Sequence, residues 1–288
     1  MPSGPRTWAY PIIPICDSNM KKYRILMAAL VAFTAIAAQA QCPFHNDAFK
    51  SGEFLTYNLY YNWQFVWVKA GNASMSTVQS RYNGHPAYRA SLTTRGNNRV
   101  DQMFVLRDTL LCYSSLDMEP LYFRKGAREG KRYGVDEVFY SYHDGKVKLR
   151  QHQLTSSGEH LWAHRTVSHC VYDMLNIFLR ARSFNPEGWK SGHEIDFPIA
   201  DGKNISPARL RYSGKVKIKA DNGVKYRCLK LSYLEKEDGK YKRIVDFYVS
   251  DDKNHIPVRL DMFLKFGAAK AFLVSMKGLR NPVTSVVR

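Results

Sequence analysis

Histidines and cysteines are the residues of this chain best equipped for chemistry. His160, His164 and His169 lie close together, and imidazoles four apart on a helix share one face, an arrangement suited to zinc. Against a metal site, helix signals begin only at Ser168, Arg165 puts a positive charge inside the group, and no glutamate completes an H-E-x-x-H hydrolase signature. Surface histidines and no metal are expected. Cys170 follows His169 at the head of a helical pattern, where the helix dipole favours a thiolate. Together they could serve a thiol-dependent hydrolase, but Asp173 opposes the thiolate with a negative charge, and a bridged or buried sulfur is expected instead.

Beyond residue 40 the cysteines are Cys42, Cys112, Cys170 and Cys228, with no C-x-x-C pair. Four cysteines allow three pairings. Cys112 and Cys228 both fall in strand-like segments and are the expected pair if any pair forms. No Gly-rich phosphate loop, nucleophile elbow or paired-carboxylate signature occurs, so neither an enzyme nor a cofactor is expected.

Two binding features remain. From Tyr57 to Val68 the odd positions Tyr57, Leu59, Tyr61, Trp63, Phe65 and Trp67 are all large and apolar or aromatic. On a strand of period two they form one aromatic wall. It is read either as dry core or as the lining of a cavity for an acyl chain, with Tyr61, Trp63, Phe65 and Trp67 as candidate ligand contacts. Arg124, Lys125, Arg128, Lys131 and Arg132 form a basic hairpin-like stretch that is either a solvated loop or a contact for an anionic head group.

The elements that must position these residues are mainly strands. Asn83-Gly84, Asp144-Gly145, Asp201-Gly202, Asn222-Gly223 and Asp238-Gly239 punctuate segments rich in Tyr, Phe, Val, Leu and Thr, the pattern of antiparallel hairpins. One segment departs from it. Val171, Met174, Leu175, Phe178 and Leu179 recur with helical spacing, so a helix is predicted over 170–182, with Ser168 as its cap. The predicted fold is mainly β: a curved antiparallel sheet or open barrel with one amphipathic helix packed against it.

Residues 21–40 read as a cleavable signal peptide. Lys21, Lys22 and Arg24 precede an apolar run from Ile25, which ends in Ala38-Gln39-Ala40. That run is shorter than the roughly 20 residues of a membrane-spanning helix, so no stable transmembrane anchor is expected. Met20 is the expected start, and residues 1–40 are an extension plus leader. Residues 41–288 are expected to form a single exported β-rich domain, with two β subdomains meeting near 168–190 as the variant. Gln41 before Cys42 argues against a lipidated N-terminus, since that processing favours a small residue there.

The net charge of +18 falls to about +15 without residues 1–40, which hold four basic residues and one acid. The basic residues are scattered and no recognition helix or zinc finger is present, which argues against nucleic acid. An exported basic protein meets anionic envelope surfaces instead.

Several segments together carry a resemblance: Ala48-Phe49-Lys50-Ser51-Gly52-Glu53-Phe54-Leu55-Thr56-Tyr57, Lys69-Ala70-Gly71, Tyr172-Asp173-Met174-Leu175 with Arg180, and Val249-Ser250-Asp251-Asp252 leading to Ile256-Pro257-Val258-Arg259. In order and spacing they resemble the bacterial DUF3108 family, particularly its Bacteroidetes branch, from about Ala48 to Leu279. The resemblance implies an exported envelope protein and carries over no catalytic residues. The architecture is also loosely similar to the periplasmic lipoprotein carriers of the LolA and LolB type, half-barrels that wrap a helix and hold acyl chains. That likeness is one of fold alone. The expected function is a non-enzymatic periplasmic protein that binds a lipid-like or amphipathic ligand. The alternative is a structural or interaction protein with a dry aromatic core and a basic docking surface.

Overall fold

The computed structural model describes residues 42–63, 66–103, 105–264 and 267–288, without the side chains of Trp63 and Met103. The leader expected at residues 21–40 lies outside the described residues. Residues 40–288 form one compact unit.

Among the described residues, fourteen strands make a single antiparallel sheet that does not close. The first eight are β1 (Glu53–Trp63), β2 (Val66–Tyr82), β3 (His85–Gly96), β4 (Leu106–Ser115), β5 (Pro120–Glu129), β6 (Arg132–His143), β7 (Lys146–Leu154) and β8 (His160–Val167), with a short helix α1 (Asn98–Met103) between β3 and β4. They run as a meander outward from β1. Helix α2 (Met174–Ala181) follows. The chain then returns through β9 (Glu194–Asp201), β10 (Asn204–Lys219), β11 (Lys225–Glu237), β12 (Lys240–Ser250), β13 (Pro257–Phe263) and β14 (Ala268–Lys277). Strand β14 pairs with β1, joining the two meanders, while β8 and β9 remain as edges.

The turn dipeptides carry out the role their residues suggest. Asn83-Gly84, Asp144-Gly145 and Asp238-Gly239 hold positive φ at both positions, the geometry of the tight turn whose twist suits a hairpin. One expectation is corrected. The aromatic run 57–68 is not a single strand: β1 ends at Trp63, and Val66 pairs with Trp63 at the start of β2. The stretch Trp63-Gln64-Phe65-Val66 contains no Gly, Asn, Asp or Pro, so nothing in its composition announced a reversal.

The two ends of the sheet approach each other. Gln151 on β7 donates from Nε2 to the carbonyl oxygens of Gly202 and Asn204, both at 2.9 Å, at the β9–β10 turn. Tyr172, just ahead of α2, forms a parallel bridge to Ile199 and so covers part of the β9 edge. Covering an edge limits its pairing with other chains.

The α2 segment satisfies its own first turn. Asp173, and not the expected Ser168, is its cap: Oδ1 accepts from the backbone N–H of Leu175 at 3.1 Å and of Asn176 at 2.9 Å. Tyr140 on β6 donates to the same carboxylate at 3.1 Å, tying the helix start to the concave face of the sheet. Leu175, Ile177 and Leu179 are buried.

The disulfide expectation is also corrected. Cys42 is bridged to Cys170, with Cα atoms 5.7 Å apart, while Cys112 and Cys228 are free and buried. Cys112 lies on β4 and Cys228 on β11, seven places apart in the strand order, each packed within the interior face of its own half. The bridge instead pins the segment before β1 to the segment before α2.

Candidate functional site

The concave face holds two apolar clusters. One gathers Phe49, Leu55, Tyr57, Leu59, Met75, Leu110, Leu175 and Ala271, among others. A second gathers Ile177, Phe197, Leu210, Leu231 and Val249 under the far half of the sheet. Where these clusters meet α2 they leave a cavity of about 280 Å³. Leu59, Ala271, Leu260, Phe247 and Leu231 lie in one cross-strand row from β1 through β14, β13 and β12 to β11, and all five line it. From the other half come Ala73, Met75, Leu92 and Leu110, and from the helix Met174, Leu175, Ile177 and Phe178. Directly paired residues share a face, so the pairing register itself gives the cavity its apolar floor.

Five lining residues carry polar side-chain groups: Tyr57, Thr94, Arg182, Tyr233 and Glu235. Arg182, at the end of α2, meets Glu53 of β1 in two parallel bonds, Nη1 to Oε1 at 2.6 Å and Nη2 to Oε2 at 2.9 Å. Each side chain is only 1% exposed. Nε and Nη2 of Arg182 also donate to the Asn254 carbonyl at 3.2 and 3.0 Å, and the guanidinium sits over the Phe49 ring. His255 donates from Nδ1 to the Arg182 carbonyl, and burial holds its pKa below the usual range. Burial pushes the Tyr57 phenol well above its ordinary value, the nearby Arg182 acting against the shift. Its hydroxyl is buried and makes no hydrogen bond among the described residues. At the other side Glu235 accepts from the Tyr233 hydroxyl at 2.6 Å.

Of the expected aromatic wall, the cavity takes in Tyr57 and Leu59. Tyr61 is half-buried farther along β1. Phe65 and the side chain of Trp63 lie outside the described residues. Trp67 pairs with Asn62, which sets it on the face opposite Tyr61; it is exposed, with the Lys270 ammonium 3.9 Å from its ring centre.

The basic stretch forms the β5–β6 hairpin. Arg124 lies 3.8 Å from Glu137 and donates to the Tyr133 hydroxyl. Lys125 is its neighbour on the strand and points to the opposite face, so the two do not share a patch. Arg128 lies on β5 opposite Tyr133, Lys131 is in the turn and Arg132 opens β6.

His160 and His164 are on strand β8, where four residues span about 13 Å, too far to share one metal. His160 instead meets His152 at 2.9 Å, and His152 meets Glu137 at 2.8 Å. Among the described residues no group of three or more His, Cys, Asp or Glu is placed to hold a metal ion. The thiol-hydrolase reading fails because the Cys170 sulfur is bonded to Cys42. Burial pushes the Cys228 thiol up to about 12 and the Cys112 thiol well above its usual value.

Sequence reasoning missed the Glu53–Arg182 pair, although a signal for it was present. Glu53 stands at the same parity as Leu55, Tyr57 and Leu59, so alternation places a carboxylate on the core face, where it requires a cation.

Residues 56–274 match the model of DUF3108, described as proteins of unknown function. The chain belongs to the DUF3108 family. No curated protein matches the sequence. Among solved structures, this DUF3108 chain is similar to a β-barrel-like protein of the domain of unknown function DUF1849 from Brucella abortus. The two are 12% identical, with a TM-score of 0.54 over 80% of this chain and 99% of that one, a likeness of fold alone. A candidate lipoprotein from Parabacteroides distasonis is 11% identical over 82% of this chain and 99% of its own, with a TM-score of 0.31, too low to compare folds.

Proposed function

We propose that this DUF3108 protein is an exported envelope protein that holds a lipid-like or otherwise apolar molecule between α2 and the concave face of its sheet. The observation that carries this reading is the apolar cavity of about 280 Å³. Interiors pack as densely as organic crystals and leave few voids larger than a water molecule, whereas a cavity of ~150 Å³ already accepts benzene. Export is supported by the leader-like residues 21–40 and by the Cys42–Cys170 bridge, since disulfides persist chiefly in oxidising compartments. No helix of the described residues is long and apolar enough to cross a membrane.

The test is binding of the fluorescent apolar probe N-phenyl-1-naphthylamine to the purified protein, with native mass spectrometry of the same preparation. Saturable binding that is lost in Ala271→Phe, a substitution at a buried position of the cavity floor, is expected. Thermal unfolding of that variant checks that it remains folded. A folded Ala271→Phe protein that binds the probe as well as the wild type would place binding elsewhere and sink the reading. Fractionation of expressing cells, with the protein found in the cytoplasm and its leader uncut, would remove the export part alone.

A further inference from the structure

The polar groups at the edge of the cavity narrow the ligand class, an inference that rests on the ligand-binding reading above. Tyr57 lines the cavity at 5% exposure, and its hydroxyl lacks a hydrogen-bond partner among the described residues. Native interiors contain few such groups, because a buried hydroxyl without a partner has lost its water and gained nothing. The phenol remains protonated and can donate. The charges beside it are already matched: each Glu53 carboxylate oxygen takes one N–H of Arg182, and the guanidinium is further used by the Asn254 carbonyl. A carboxylate or ammonium placed there would add a third, unmatched charge away from water, which is strongly disfavoured.

We propose that the cavity selects a single-chain apolar molecule carrying a neutral oxygen acceptor, an ester or amide carbonyl, which receives the Tyr57 hydroxyl proton in a hydrogen bond. The volume agrees with one chain. It is nearly twice that of a benzene-sized cavity and just under the roughly 300–1,000 Å³ of pockets for drug-sized ligands.

The experiment is displacement of N-phenyl-1-naphthylamine from the purified wild type and from Tyr57→Phe by methyl laurate, laurate and dodecylammonium at pH 8. Methyl laurate is expected to displace the probe at a concentration at least tenfold below either charged analogue. In Tyr57→Phe its displacement, referred to the naphthylamine affinity measured in the same variant, should weaken roughly three- to tenfold, and thermal unfolding of that variant checks that it remains folded. Laurate or dodecylammonium displacing as well as methyl laurate would overturn the proposal. So would methyl laurate binding that is indifferent to Tyr57→Phe, the result expected if an internal water is the hydroxyl's partner. Both of these outcomes leave the ligand-binding reading standing. Failure of the naphthylamine to bind the wild type at any concentration overturns that reading and this proposal with it.

Discussion

The Glu53–Arg182 pair gives the sharpest stability prediction. Arg182→Met keeps much of the aliphatic volume and removes the charge, leaving the Glu53 carboxylate in a site where both side chains are 1% exposed. Breaking a buried ion pair on one side costs about 3–5 kcal/mol, because the remaining charge is uncompensated. The Asn254 carbonyl also loses its two donors from Arg182, at 3.2 and 3.0 Å, which adds about 1 kcal/mol. The expected loss is about 4–6 kcal/mol, a large share of the ~5–15 kcal/mol that holds a typical domain together. Glu53→Gln/Arg182→Met removes both charges, so it should be more stable than Arg182→Met alone by roughly 2–4 kcal/mol. Urea unfolding of the wild type, the two single variants and the double variant closes a thermodynamic cycle that isolates the pair. Additive losses, or a cost under about 1 kcal/mol for Arg182→Met, would refute the description of this pair as buried and mutually dependent.

Tyr57→Phe deletes the hydroxyl that lacks a partner among the described residues and should leave the ligand-free protein as stable or more so, by up to about 1–3 kcal/mol; a lower melting temperature would contradict this. Cys42→Ser/Cys170→Ser opens a bridge between residues 128 apart and should cost about 2–5 kcal/mol, read by thermal unfolding; an unchanged melting temperature would refute the structural role. The Asp108 carboxyl is pushed up to about 6, first by burial and then by the charge of Glu129. A carboxyl raised in the folded state binds more protons there than in the unfolded chain, so its contribution favours folding below about pH 4 and is lost as pH rises to about 6. Asp108→Asn should therefore gain stability relative to the wild type across that window and hold the gain above it, as urea midpoints at pH 4, 5, 6 and 7 would show. A difference constant with pH would refute the shift.

How much of this was legible in the sequence depends on whether the deciding contacts are local. Hairpins at Asn83-Gly84, Asp144-Gly145 and Asp238-Gly239 could be read because two adjacent residues set the turn. The reversal between Trp63 and Val66 could not, because those residues alternate as smoothly as a strand and carry no turn chemistry. Strand β8 was hidden for another reason. It is an edge of the sheet, and edge strands tolerate polar residues on both faces, so His160, His164 and Arg165 erased the alternation that reveals an interior strand. The helix was legible from its spacing, but its start was misplaced: Asp173 competes with Ser168 as a cap, and what favours it includes Tyr140, 33 residues away in sequence.

The site itself is the least local feature. Its floor is built by register across the β1–β14 junction, where Leu59 meets Ala271, and no window of sequence contains both. Periodicity assigns a side chain to a face but does not say whether the opposite wall reaches it. Here that wall is α2, whose end is held by Arg182 reaching Glu53 across 129 residues of chain. The pair therefore does two things at once. It fixes how closely the helix end lies to the sheet, and by consuming its own charges it leaves Tyr57 as the neutral donor on that side of the cavity. Loss of the pair should consequently alter ligand selectivity as well as stability. An Arg182→Met protein that remains folded has a lone carboxylate near Tyr57 and should bind dodecylammonium more tightly relative to methyl laurate than the wild type does, whereas an unchanged ratio would separate the ion pair from the binding site.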